Sequence, residues 1–335
     1  MNQGSLIISL DFELHWGRFD KYEVEPYLNY YLNARKVVPE ILDLFSKKGI
    51  HATWATVGML MASGWEEWEA YKPIHLPGFS EERYSAYSWV EKQKVKTLQS
   101  LFAPELVREI INTAGQELAS HTFSHYYTGM AGSEMEAFRA DLFAAKKIAQ
   151  EKFQIDLKSL VFPRNQYNDD YLNESAKAGF DYVRTNPSDW FWGNTEQESL
   201  IKKVFRTGDT LVPIGQKTTY SEIKLLENGQ FAIPASRLLR PYRSNSIFNR
   251  LRVGRIKKEL EFAAKNGLIY HLWWHPHNFG LKPKEKILVL KEIIEFVSEL
   301  SYEYGLLSQT MEEIGLSRKK ESAEFLAKNV VYKGV

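Results

Sequence analysis

The chain contains no cysteine, which removes disulfides, thiolate metal sites and cysteine nucleophiles together. It also lacks charge of one dominant sign: 43 basic residues stand against 42 acidic ones, for a formal net charge of +1. That balance excludes the basic footprint of a nucleic-acid binder, so no nucleic-acid partner is expected. Long apolar runs are missing too, and nothing approaches the ~18 residues of a membrane span. The opening residues, MNQGSLIISLDFE, have no basic cluster and only a short apolar stretch. No secretory signal is therefore expected, and the expected location is cytoplasmic.

What is present is a 44% hydrophobic fraction and 14% aromatics, including nine tryptophans, enough for a large core and for rings along a sugar-binding cleft. Apolar strand-like runs alternate with helical ones. Residues 5–11 read as a strand, 34–49 as an amphipathic helix ended by Gly49, and 50–58 as a second strand. Helix 104–115, strand QELASH and helix 133–153, capped by Ser133, follow. LKSLVFP and GFDYVRT are further strands around the helix DDYLNESAKAG. The helix RIKKELEFAAKNG, strand LIYHLWW, helix 283–304 and a last strand at 304–310 complete the series. This alternation predicts an α/β fold with a largely parallel sheet, whose chemistry sits at the carboxyl ends of the strands. Segments 63–103 and 191–253 break the rhythm and read as insertions, the second with the basic stretch RLLRPYRSNSIFNRLRVGR. One elaborated domain over 1–317 is expected, with a charged helical tail at 318–335.

The first strand ends in Asp11-Phe12-Glu13, two residues before His15. Residues i and i+2 of a strand point the same way, so both carboxylates share one side. Such a pair is solvated, or it shares a proton or a cation. His121 and His125 lie four apart just past another strand, the spacing of two ligands for one divalent metal. No Glu follows His121, which excludes a His-Glu-x-x-His protease site. Two His and one carboxylate without thiolate suit zinc, and also cobalt, nickel, manganese or iron. Either Asp11 or Glu13 can supply that carboxylate. In PRNQY, Arg164 either pairs with a surface acid or sits beside Asp11 and holds it ionised. In LIYHLWWHPHNFG, His271 reads as a core residue and His275, at the strand end, as the functional candidate.

Taken in order, SLDFE, SHTFSH, PRNQY, SDW and HLWWH resemble the motifs of the polysaccharide deacetylases, carbohydrate esterases with a NodB homology domain. The resemblance spans about residues 5–310, with HATWATVG similar to the family's second strand. It departs at the first motif, where Asp-x-Glu replaces adjacent aspartates, and in Gln166, Trp274 and the added His277. The resemblance implies an irregular (β/α) barrel with insertions and one divalent metal, zinc foremost, on Glu13, His121 and His125, with Asp11 or His15 as substitutes for Glu13. It further implies Asp11 as general base, held by Arg164, with the Tyr167 backbone N–H on the oxyanion. His275 would then protonate the leaving amine, oriented by Asp189. Trp190, Trp273, Trp274 and His277 are expected around the substrate. The expected reaction is removal of an N-acetyl or related N-acyl group from a sugar or glycan precursor. The alternatives are hydrolysis of a small ureide or amide on the same fold, or an inert glycan-binding protein.

Overall fold

A computed structural model describes residues 3–92, 98–187, 192, 200–209, 218–241 and 246–320. The strands are β1 (Ser5–Phe12), β2 (Ala52–Thr56), β3 (Gln116–Ser120), β4 (Ser159–Val161), β5 (Tyr182–Thr185), β6 (Lys224–Leu225), β7 (Phe231–Pro234), β8 (Arg237–Leu238), β9 (Ile269–Trp274) and β10 (Leu307–Gln309). The helices are α1 (Leu28–Lys48), α2 (Trp65–Tyr71), α3 (Ala86–Lys92), α4 (Pro104–Asn112), α5 (Met135–Phe153), α6 (Asp169–Lys177), α7 (Leu200–Asp209), α8 (Ser246–Asn266) and α9 (Pro283–Tyr304). No helix among the described residues is long and apolar enough to cross a membrane.

All eight residues of β1 are buried, as expected of a central parallel strand covered on both faces. It pairs in parallel with β2 on one side and β9 on the other. The sheet continues β2-β3-β4-β5-β7 in parallel, with β6 antiparallel at the edge. β7 pairs with β5, and β8, two residues further on, pairs with β9. Between them, Ala235 donates to the Thr185 carbonyl and Ser236 to that of His271, both at 2.8 Å. Segment 231–238 therefore closes the curled sheet into an irregular (β/α) barrel. That segment lies inside 191–253, which the sequence pattern presents as an insertion. Its pairing partner changes midway, so no single alternating run marks it as a strand.

Register sets the level of the rim at the carboxyl ends of the strands. Leu10 lies opposite both Trp54 and Trp274, so β1, β2 and β9 finish together with Asp11, Thr56 and His275 at one end. Helix α1 stops at Gly49, whose φ of 62° takes the left-handed conformation glycine tolerates. Ser133 does not cap α5. Glu134 holds the N-cap position without a side-chain bond, and the Ser133 hydroxyl donates instead to the Thr128 carbonyl at 3.0 Å.

Candidate active site

Five loops leaving the carboxyl ends of β1, β3, β4, β5 and β9 meet over the barrel. Asp11 and Glu13 share one side as strand parity requires, while Phe12 turns into the core and meets Trp54 edge-on, centroids 6.1 Å apart. Glu13 Oε1 lies 3.0 Å from His121 Nε2 and 3.3 Å from His125 Nε2. His275 Nε2 stands 3.6 Å from the same Oε1 and 3.7 Å from Asp11 Oδ2. Glu13, His121 and His125 are all buried, whereas the His275 side chain is 25% exposed and faces the opening.

The donor set fits a divalent cation. His121 Nδ1 lies 2.7 Å from the Val161 carbonyl, which accepts only, so Nδ1 carries the proton and a neutral ring keeps a lone pair on Nε2. Nε2 is thus the nitrogen turned to the Glu13 carboxylate, the atom that a ligating imidazole offers to a cation. Burial lowers His125 and keeps it neutral. One oxygen and two imidazole nitrogens, mutually within 4.8 Å, match the ligand types of zinc and its neighbours.

The arginine on Asp11 is Arg184, not Arg164. From β5, Arg184 donates Nη1 to Oδ1 at 2.6 Å and Nη2 to Oδ2 at 2.8 Å, a bidentate fork between two buried groups. Nη1 also reaches Ser9 Oγ at 3.0 Å and Nη2 reaches Asn165 Oδ1 at 2.9 Å. Trp273 lies under the guanidinium, 4.3 Å from its carbon. Burial alone would raise the Asp11 carboxyl, but Arg184, His121 and His275 together hold it below the usual carboxylate range. Arg164 turns the other way because it and Asn165 take left-handed φ of 56° and 52°. It pairs with Asp20 and lies 4.1 Å over the Tyr127 ring, so it ties the loop after β1 to the loop after β4.

The remaining expected residues divide. Trp273 packs beside His275, centroids 5.5 Å apart. Trp274 does not reach the cleft: it is fully buried and meets Phe45 of α1 edge-on. Tyr167 is half-buried and its hydroxyl accepts the Asn186 N–H at 2.9 Å. His277 belongs with the carboxylates and not on the cleft wall, its Nδ1 3.6 Å from Glu13 Oε2. Burial pushes His277 down to about 3, so it is neutral. His15 is buried away from the carboxylates, bonded to Tyr31 at 2.9 Å, and does not replace Glu13. His271 is a core residue bonded to Ser9 at 2.8 Å. Asp189 and Trp190 lie outside the described residues.

Two supports carry no motif. Asp141 of α5 accepts the Phe123 N–H at 2.6 Å, the Ser124 N–H and hydroxyl, and the Tyr87 hydroxyl at 3.2 Å. It fixes the turn between His121 and His125, where Thr122 and His125 themselves hold left-handed φ of 62° and 58°. Among the described residues, five of the seven non-glycine residues with positive φ, Leu14 included, sit in these site loops; such strain persists only where surroundings over-determine it. Gly17 packs against the Glu13 carboxylate so closely that any Cβ would overlap it. A Gly17→Ala variant is therefore expected to displace Glu13 and weaken metal retention by about tenfold or more. Competition against a chelator measures it, and unchanged retention would mean that Glu13 holds no metal.

Residues 19–183 match the sequence profile of the family described as polysaccharide deacetylase. No curated protein matches the chain. Among solved structures, a Mycobacterium smegmatis protein provisionally assigned as a polysaccharide deacetylase is similar with a TM-score of 0.58 at 14% identity, over 96% of this chain and 92% of that one. An allantoinase, PuuE, gives 0.55 at 11% identity, over 93% and 88%. A Pseudomonas aeruginosa PAO1 protein, also provisionally a polysaccharide deacetylase, gives 0.53 at 12%, over 93% and 88%. At such identities the likeness to these structures is one of fold.

Proposed function

This chain belongs to the polysaccharide deacetylase family, hydrolases of amide bonds, and from that premise we propose that it removes an N-acetyl or related N-acyl group from a sugar or glycan precursor with the help of one divalent metal. The observation that carries the reading is the meeting of two groups at one rim: the Glu13, His121, His125 set and the Asp11–His275 pair. When held by Glu13, His121 and His125, a divalent cation such as zinc supplies Lewis acidity, polarising an acyl carbonyl and acidifying water.

The chain's own groups do the rest. Asp11, kept ionised by Arg184, takes a proton from the attacking water at Oδ2, the oxygen nearer His275. Arg184 locks both Asp11 oxygens, so the base does not rotate away. His275 is the most open of the cluster and stands where a leaving amine departs. It gives that amine a proton, without which the C–N bond does not break readily. Trp273, held flat by Arg184, backs the His275 ring.

Elemental analysis tests the metal. Wild type is expected to hold about one equivalent, and a His121→Ala/His125→Ala variant none. Acetate release from N-acetylglucosamine oligomers tests the reaction. No metal after soaking in zinc removes the metal-dependent reading. A second reading, hydrolysis of a small ureide or amide, draws support from the depth of the site, where only His275 among the clustered side chains is a quarter exposed. Metal uptake with turnover of allantoin and none of glycans would decide for it.

A further inference from the structure

The proposed reaction gives His277 no task. It stands in the short turn Pro276–Gly280 that follows β9, and it is 5% exposed. The turn is mounted on α1: the Asn33 amide donates to the Gly280 carbonyl at 3.2 Å, and the Tyr30 hydroxyl donates to Asn278 Oδ1 at 3.4 Å. Tyr30 also packs beside the His277 ring, centroids 6.1 Å apart, and the His275 ring lies 5.1 Å away. The imidazole is therefore held from several sides.

Its Nδ1 is buried and has no hydrogen-bond partner among the described residues. Such an orphaned nitrogen carries a desolvation cost that an apolar residue here would not. The polar atom it faces is Glu13 Oε2, 3.6 Å away and just beyond hydrogen-bond length. His121 and His125 both turn to the other oxygen, Oε1. Oε2 is also the oxygen that a Cβ on Gly17 would strike. Gly17 thus makes room for Oε2, and His277 presents a nitrogen to it.

Two departures from the family's motifs meet here: the glutamate of Asp-x-Glu and the added His277. Glutamate has one more rotatable bond than aspartate and loses more side-chain entropy when it is fixed. A contact on its far oxygen offsets that loss and selects which oxygen faces the histidine pair. We propose that His277 is a positioning residue for Glu13, donating Nδ1–H to Oε2 and leaving Oε1 as the oxygen offered to a cation with His121 and His125. A carboxylate only accepts, so the proton belongs on Nδ1. Contacts of this kind are often long before the bound state forms, and outer hydrogen bonds on a ligand strengthen metal holding. His277 has this role only if Glu13 holds metal, as proposed above.

Zinc affinity, read by competition against a chelator, tests the role with two substitutions of opposite expectation. His277→Phe keeps the bulk of a ring and has no N–H. His277→Asn gives up bulk and keeps an N–H near the place of Nδ1. A positioning role predicts that His277→Phe weakens zinc binding about tenfold or more while His277→Asn stays within about threefold of wild type. The reverse order would mean that His277 only fills space, and equal affinities in the two variants would likewise overturn the proposal. His277→Leu, which also lacks the N–H, takes the place of His277→Phe if that variant does not fold. Ring-nitrogen NMR of zinc-loaded wild type adds a readout apart from affinity: the histidine signal that the substitution removes should carry its proton on Nδ1, and a proton on Nε2 would overturn the role. Wild type that binds no zinc overturns the metal reading and this role with it. Zinc binding in wild type with matching variants overturns the role of His277 alone.

Discussion

Replacing Arg184 with methionine is expected to destabilise the fold by about 3–5 kcal/mol, because it leaves the Asp11 carboxylate buried and without its cation. Both groups are almost wholly inaccessible and joined by two short bonds. Adding Asp11→Leu to Arg184→Met should then restore much of the lost stability, since the double variant has no unpaired charge to bury. The same Arg184→Met change should reduce turnover by ~10²-fold or more, as the base loses its fixed orientation. Arg164→Met should cost less of both, because Arg164 is partly exposed and its acid is Asp20. The stabilisation from the Arg184 pair has a definite pH window. Arg184 lowers Asp11 in the folded state, so the contribution is complete above the ordinary carboxylate value near 4 and is lost as pH falls through the lowered one. Chemical denaturation of the single and double variants at pH 7 is the measurement. An Arg184→Met protein as stable and active as wild type would show that the fork is incidental.

That the partner is Arg184 was not legible in the sequence, and the reason is physical. Arg164 and Arg184 both lie near the ends of adjacent strands, and either could reach Asp11 by position alone. The choice is made by two consecutive left-handed residues, Arg164 and Asn165, which swing Arg164 toward Asp20 and leave the Asn165 side chain on Arg184. Neither residue is a glycine, so no letter in the sequence announces that turn. The tryptophans are the opposite case. The parity that aligns His271 with His275 also puts Trp273 on their side and Trp274 on the other, and Trp274 is indeed in the core. Helices such as α1 and α9 and the doubly buried β1 were readable because their apolar patterns are long and regular. The closing segment 231–238 was not, because half of it pairs with β5 and half with β9. Asp141 was concealed differently: on an amphipathic helix an acid reads as a solvent-facing residue, and only the fold turns this one inward onto the Phe123 and Ser124 amides.

Asp11→Asn should separate the proton-transfer role from metal holding, and its effect on turnover should be among the largest, ~10²–10⁴-fold. Asparagine keeps the shape and one acceptor for Arg184, but it cannot take a proton at the position of Oδ2. Metal content should nevertheless stay near one equivalent, because the converging donors are Glu13, His121 and His125. Glu13→Gln should give the reverse pattern, with metal lost first and activity lost in consequence. In wild type the acidic limb of kcat/KM should lie below the ordinary carboxylate range, since Arg184 holds Asp11 low. Arg184→Lys, which replaces the planar fork by a point charge, should move that limb upward. Loss of metal in Asp11→Asn would instead make Asp11 a ligand, in line with its place beside Glu13 and His275. Retained metal with retained turnover would remove Asp11 from the chemistry and leave His275 as the remaining titratable group open to the substrate.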